Sequence, residues 1–257
     1  MTSPNTVQPC CLTSFQWDGT PCGSETSLAN LPTYVVGTNS HAAVLIVHDA
    51  LGWTFKNTRL LADHYAREAN VTVYMPDFFG GERIDAEAII AGRWKDLDLE
   101  GFRKRNAREI REPQIFAAAT ALREQGYRKI GAVGYCFGGW AVLRLAHSQN
   151  PLADCICVAH PSWTTAADFD HVGVPIQILA PEVDAMFSDD LKAYVFHKLV
   201  CEKKTVPTEY IHFPGVAHGC MTKGDENVKG EREAMAKGKD DTVRWFRLWL
   251  HGTQVEI

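Results

Sequence analysis

Four short segments carry residue types that together could make a covalent acyl-transfer site. The sharpest is Gly134-Tyr135-Cys136-Phe137-Gly138-Gly139, where a β-rich apolar run ends at a cysteine and an apolar helical pattern begins. This is the context of a nucleophile elbow. The central residue is held in a strained strand-to-helix turn, and glycines two positions to either side let neighbouring backbone pass without a Cβ clash. A thiol placed there lies beside unsatisfied N–H groups and the positive end of a helix, both of which favour the thiolate. The remaining seven of the eight cysteines read as small packed hydrophobes.

Such a nucleophile needs a base, and the base needs an acid to orient it; in this kind of site they follow in chain order as acid, then histidine. The run Pro181-Glu182-Val183-Asp184 supplies Asp184 as the orienter, with Glu182 in reserve. Pro214-Gly215-Val216-Ala217-His218-Gly219 supplies His218 as the base, on a glycine-flanked loop past a strand end. Backbone N–H groups must hold the developing oxyanion. One donor is expected from Phe137. The second is expected from Ala50 or Leu51 in the loop His48-Asp49-Ala50-Leu51-Gly52-Trp53, with Ala50 taken as the donor.

These segments meet only if they lie at the same end of a sheet, and the chain is patterned to put them there. Short apolar runs alternate with helical patterns from residue 42 onward, which is the signature of βα units. Strands are expected at 43–47, 71–75, 130–135, 154–159, 175–180 and 208–213, with an antiparallel edge strand at 33–36. Helices are expected at 55–69, 110–125, 138–148 and 231–250. The fold class is therefore α/β, with a mostly parallel central sheet flanked by helices on both faces. Residues 81–113 break the rhythm with Gly80-Gly81 ahead, many charges, and the scattered apolar residues Ile89, Ile90, Trp94, Leu97 and Phe102. They read as a helical insert over the site, or equally as a solvated crossover. Residues 221–230, glycine-rich and charged, read as a mobile loop.

Composition narrows the classes. With 257 residues, 46% hydrophobic and 22% charged, the chain is an ordinary cored globule. A net charge of −5 gives no basic field for nucleic acid or an anionic membrane. No apolar run approaches a bilayer span, and the first residues have no leader pattern, so a cytoplasmic protein is expected. Neither Cys10-Cys11 with Cys22 nor Cys155-x-Cys157 has the spacing of metal ligands, and reduced thiols without a metal are expected.

Together these residues resemble the dienelactone hydrolase family, and more closely its fungal-type members. The likeness spans nearly the whole chain. It rests on Trp17-Asp18-Gly19-Thr20-Pro21, the His48–Trp53 loop, Met75-Pro76-Asp77-Phe78-Phe79-Gly80, the elbow, Ala159-His160-Pro161-Ser162 and His218-Gly219. The resemblance implies one α/β-hydrolase domain over residues 1–257, a triad of Cys136, Asp184 and His218, and cleavage of a small ester or lactone without a cofactor. It also implies that Asp49, standing where members commonly carry glutamate, takes part in activating the thiol. Bacterial members hold a substrate carboxylate with two arginines. Here Gly80-Gly81 occupies the first region and Thr222-Lys223 the second, which points away from dienelactone itself and leaves Lys223 as an anion contact. His160 and Trp163, beside the expected pocket, are further candidate substrate contacts. Two other uses of the same cleft stay open: an isomerase, cyclase or lyase acting on a polyketide-like intermediate, and a non-catalytic binding module. A monomer and a homodimer are equally compatible with the sequence.

Overall fold

Eight strands form a single sheet in the order β1-β2-β4-β3-β5-β6-β7-β8. The computed structural model describes residues 19–85, 87–88, 93–202 and 205–252. Cys10, Cys11, Trp17, Asp18, Ile89 and Ile90 of the sequence reading lie outside the described residues. In chain order the elements are β1 (Ser24–Leu28), β2 (Leu31–Val36), β3 (Ala42–Val47), α1 (Lys56–Ala69) and β4 (Thr72–Pro76), followed by α2 (Leu99–Arg105) and α3 (Arg108–Glu124). Next come β5 (Lys129–Tyr135), α4 (Gly138–Leu145), β6 (Cys155–Ala159), α5 (Ala166–Asp170) and β7 (Ile176–Val183). The chain closes with α6 (Asp189–Phe196), β8 (Thr208–Ala217) and α7 (Glu231–His251). β2 pairs antiparallel with β1 and β4, and every other pairing is parallel.

Parallel strands covered on both faces have no reason to alternate polar with apolar, and β3, Ala-Ala-Val-Leu-Ile-Val, is buried at all six positions. Its side chains alternate between two cores. Val44 and Ile46, with Val73 and Val133, pack under α1 and α7 against Leu61, Tyr65 and Phe246. Leu45 and Val47, with Ala132, pack on the opposite face against Ile115 and Leu122 of α3 and Trp140 and Leu143 of α4. The six cysteines among the described residues are free; Cys155, Cys157 and Cys220 are packed in the core as expected, whereas Cys22 and Cys201 are exposed and correct that reading.

The structure departs from the sequence expectation in several places, among them the helices α5 and α6, which carried no strong pattern. The edge strand at 33–36 has a partner, β1, whose sequence Ser-Glu-Thr-Ser-Leu exposes four of its five residues and so carries no apolar signal. β7 and β8 continue past Pro181 and Pro214 to the pairing Val183↔Ala217, with an irregular register absorbing the donor that Pro181 lacks. Pro113 does not end the insert; it sits inside α3, where it gives up one intrahelical bond. The segment expected to be a mobile loop begins packed, with Met221 and Thr222 buried and Asn57 Nδ2 donating to the carbonyls of Thr222 (3.1 Å) and Lys223 (3.0 Å).

Candidate active site

The carboxyl ends of β3, β5, β6, β7 and β8 converge on one cavity of about 550 Å³. In an open α/β sheet this is where loops from strands of different connection leave a crevice. Cys136 follows β5 directly and has φ of +50°, a left-handed conformation unusual for a residue with a side chain. Its neighbours explain how the turn is held. A Cβ on Gly134 would lie 2.1 Å from the Gly138 carbonyl oxygen, and one on Gly138 would lie 2.0 Å from the Val47 carbonyl oxygen, so the elbow closes only with glycine at both positions. The Cys136 N–H donates to Ala159 O (3.1 Å), which fixes the turn to the end of β6.

From the thiol a line of polar contacts runs to a buried carboxylate. Cys136 Sγ lies 3.1 Å from Ser162 Oγ, which is 3.3 Å from His218 Nε2, and His218 Nδ1 lies 2.9 Å from Asp184 Oδ2. The other Asp184 oxygen accepts from the N–H groups of Met186 and Phe187, both at 2.9 Å, so the acid is fixed before it orients the ring. Burial alone would raise the Asp184 carboxyl, but the hydrogen bond and charge of His218, with the Phe187 N–H, hold it below its usual range. For His218, burial works downward. The negative charge of a Cys136 thiolate and the bond to Asp184 outweigh it and lift the ring to about 10. The ring is therefore favoured in its imidazolium form.

Glu182, the reserve acid, faces elsewhere: its carboxylate accepts from Gly215 N at 2.6 Å. Asp49 lines the cavity, but both its oxygens are occupied, one by Leu51 N–H (2.9 Å) and one by Thr222 Oγ1 (2.7 Å). The bonds at Asp49 thus run to Leu51 and Thr222 and not to the Cys136 thiol. Burial pushes its carboxyl above the usual range, against the pull of the same two bonds. The Leu51 N–H is thus committed, whereas those of Ala50 and Phe137 have no acceptor among the described residues, and both residues line the cavity.

The walls are chiefly apolar: Leu51, Phe137, Trp163 and Met186 around the thiol, with Ile84, Leu99 and Phe102 of the 81–113 segment above it. That segment is tied to the site by the bond from Ile84 N to Ala50 O (3.0 Å) and braced within itself by Arg105 on Glu82 (2.7 Å). Lys223 also lines the cavity, yet its ammonium lies 3.4 Å from the buried Glu231 carboxylate, which offsets its charge toward an anion. His160, expected as a substrate contact, is corrected to a packing position. It is fully buried outside the cavity lining, with its ring 5.0 Å from that of His218, and burial keeps it well below the ordinary histidine value.

Sequence reasoning named the segment Ala159-His160-Pro161-Ser162 but gave the wrong member the polar role. Ser162 stands shortly past the end of β6, and His218 directly past the end of β8, so a strand-end position was available as a signal for both. Among the described residues no group of three His, Cys, Asp or Glu is placed to hold a metal ion, and no helix is long and apolar enough to cross a membrane.

A mostly parallel sheet with an elbow after β5, an acid after β7 and a histidine after β8 is the α/β-hydrolase fold. The solved dienelactone hydrolase of Anabaena variabilis shares it with a TM-score of 0.61, at 16% identity, over 89% of this chain and 97% of that one. The model of the dienelactone hydrolase family matches residues 31–250. "Carboxymethylenebutenolidase homolog" of Mus musculus is 35% identical over 96% of this chain and 99% of its own. "Hydrolase tropI" of Talaromyces stipitatus is 28% identical over 95% and 96%. The chain belongs to the dienelactone hydrolase family and is a carboxylic ester or lactone hydrolase.

Proposed function

We propose that the chain cleaves its ester or lactone by covalent catalysis, with Cys136 as nucleophile, His218 as general acid and base, and Asp184 as the group that orients His218. The thiolate attacks the carbonyl carbon, and the N–H groups of Phe137 and Ala50 receive the oxyanion. Collapse breaks the ester C–O bond, and the leaving alkoxide takes the proton of His218. His218 then removes a proton from water, which attacks the thioester and releases the acid and the thiolate. Asp49 serves the thiol through its loop: by fixing Leu51 and Thr222 it leaves the Ala50 N–H for the oxyanion. Trp163 lies against the substrate, and Ile84, Leu99 and Phe102 of the 81–113 segment cover it. The cavity volume and its apolar lining suit a small organic molecule.

The observation that carries this reading is the run of contacts from Cys136 through Ser162 to His218 and Asp184 at a cavity open to substrate. Intact-mass analysis after brief exposure to an activated aryl ester tests it. Wild type should gain one acyl group on a peptide containing Cys136, His218→Ala should retain that group longer, and Cys136→Ala should gain none. Turnover without acylation at Cys136 would overturn the covalent route.

A further inference from the structure

Ser162 touches both groups that exchange a proton when the thiol is activated, and the steps above give it no part. We infer that the Ser162 hydroxyl is itself a catalytic residue, carrying the proton from Cys136 to His218 and then donating its hydrogen to the thiolate. The inference rests on the cysteine-nucleophile reading. In the step, the Sγ–H bond breaks as its proton joins Ser162 Oγ, while the proton originally on Oγ passes to His218 Nε2. The hydroxyl is regenerated, thiol has become thiolate and imidazole has become imidazolium, and no further reactant is needed.

Geometry supports a purpose beyond filling space. Ser162 is 2% exposed, and its Oγ stands 3.1 Å from Sγ and 3.3 Å from Nε2, within reach of both atoms at once. Its backbone is held from several sides. Ser162 N–H donates to Cys136 O at 2.9 Å, and Pro161 packs so closely on α4 that a Cβ on Gly139 would come within 2.5 Å of it. Arg108 Nη2 donates to the Trp163 carbonyl, immediately after Ser162. The residues around it, His160 at φ +36° and Trp163 at φ +55°, are left-handed without being glycine. Such conformations persist where surrounding structure over-determines them, and they concentrate at functional sites. The carboxylate that the family resemblance would bring to the thiol is engaged elsewhere, by Leu51 and Thr222, so the Ser162 hydroxyl joins His218 as a polar partner of Sγ.

The other titratable groups facing this pair are Asp184 and His160 beside His218, Asp49 after β3, Lys223 after His218, and Glu100 and Arg103 of α2 over the cavity. All are retained in the variants that test Ser162. The experiment compares wild type, Ser162→Ala, Ser162→Thr and Cys136→Ala by circular dichroism, by turnover of an activated aryl acetate, and by the pH dependence of iodoacetamide alkylation read on the Cys136 peptide. Ser162→Ala is expected to lower kcat about 10–100-fold with KM little changed, and to move the alkylation curve upward by about one to two pH units. Ser162→Thr, which keeps the hydroxyl, should recover most of both. A folded Ser162→Ala with the wild-type alkylation curve overturns the inference whether or not kcat falls, since packing alone would leave thiol ionisation unmoved. Cys136→Ala that still turns over the ester overturns the nucleophile reading instead, and the two failures are read on different variants.

Discussion

Thr222 Oγ1 donates to Asp49 Oδ2 at 2.7 Å, joining two segments 173 positions apart and tying the loop after β3 to the turn after His218. Asp49 is 5% exposed, so this bond and the one from Leu51 N–H are its means of bearing charge inside the protein. Thr222→Val keeps the shape and removes the donor, and is expected to cost about 1–3 kcal/mol at neutral pH. The sign of the pH dependence follows from burial having raised the Asp49 carboxyl above its unfolded value. Below both values the group is protonated in both states and the variant loses least. As pH rises through the folded value, charge must be carried without its donor and the deficit grows. Urea unfolding of wild type and variant at several pH values checks this; a deficit that shrinks with rising pH contradicts it.

The elbow makes a sharper demand. Gly138→Ala would put a Cβ 2.0 Å from the Val47 carbonyl oxygen, and the clash is with backbone of a central strand rather than with a side chain that can turn away. β3 would have to move relative to β5, its hydrogen-bonded neighbour. The variant is expected to lose about 3 kcal/mol or more. It should also lose ester turnover beyond what its folded fraction explains. Chemical denaturation together with kcat on the folded fraction measures both.

Arg108 gives a prediction about substrate rather than chemistry. From α3 it donates to both oxygens of Asp168, at 2.7 and 2.9 Å, and to the carbonyl of Trp163, with its guanidinium over the Trp140 ring. Trp163 lines the cavity in a left-handed conformation, so Arg108 helps hold a strained wall. Arg108→Ala should raise KM several-fold with a smaller fall in kcat, because the wall binds substrate directly and bears on the thiol only through the adjoining Ser162. Arg108→Lys should behave nearly as Ala, since one ammonium cannot span the carboxylate and the carbonyl together. Steady-state kinetics on a bulky aryl ester tests this, and full recovery by lysine would count against the geometry.

How much of this was legible follows from what each residue's signal depends on. Cys136, His218 and Asp184 stand at strand ends beside glycine or turn residues, so local pattern puts all three at one end of the sheet, where the structure brings them together. The two-sided burial of β3 also shows directly, as an unbroken apolar run. Ser162 and Thr222 were missed as polar contacts because a hydroxyl near a strand end is common, and its partner is set by packing between segments distant in sequence. β1 was missed because its residues face solvent, and its pairing with β2 is a backbone property. His160 drew attention for its residue type, yet its place is decided by which way the loop after β6 turns, and a left-handed φ at a non-glycine residue leaves no local trace.

The two helices that cover one face of the sheet are joined by a charge pair whose behaviour with pH can be worked out. Lys239 of α7 donates to Glu68 of α1 at 2.6 Å, and the ring of His64 contacts the other carboxylate oxygen. Partial burial would raise the Glu68 carboxyl, but His64 and Lys239 outweigh it and bring it down to about 2. A carboxyl depressed in the folded state contributes stability that is fully present above its unfolded value, near 4.5, and is lost as pH falls toward the folded one. Glu68→Gln should therefore be less stable than wild type at pH 7 by about 1–2 kcal/mol, after discounting for a side chain that is 28% exposed. The difference should persist at pH 5 and narrow steadily below about pH 4.5, as the unfolded wild type takes up the proton that the folded state binds only near pH 2. Thermal unfolding at pH 7, 5 and 3.5 would show this convergence. A gap that stays constant across the range would mean that Glu68 acts through shape and not through charge.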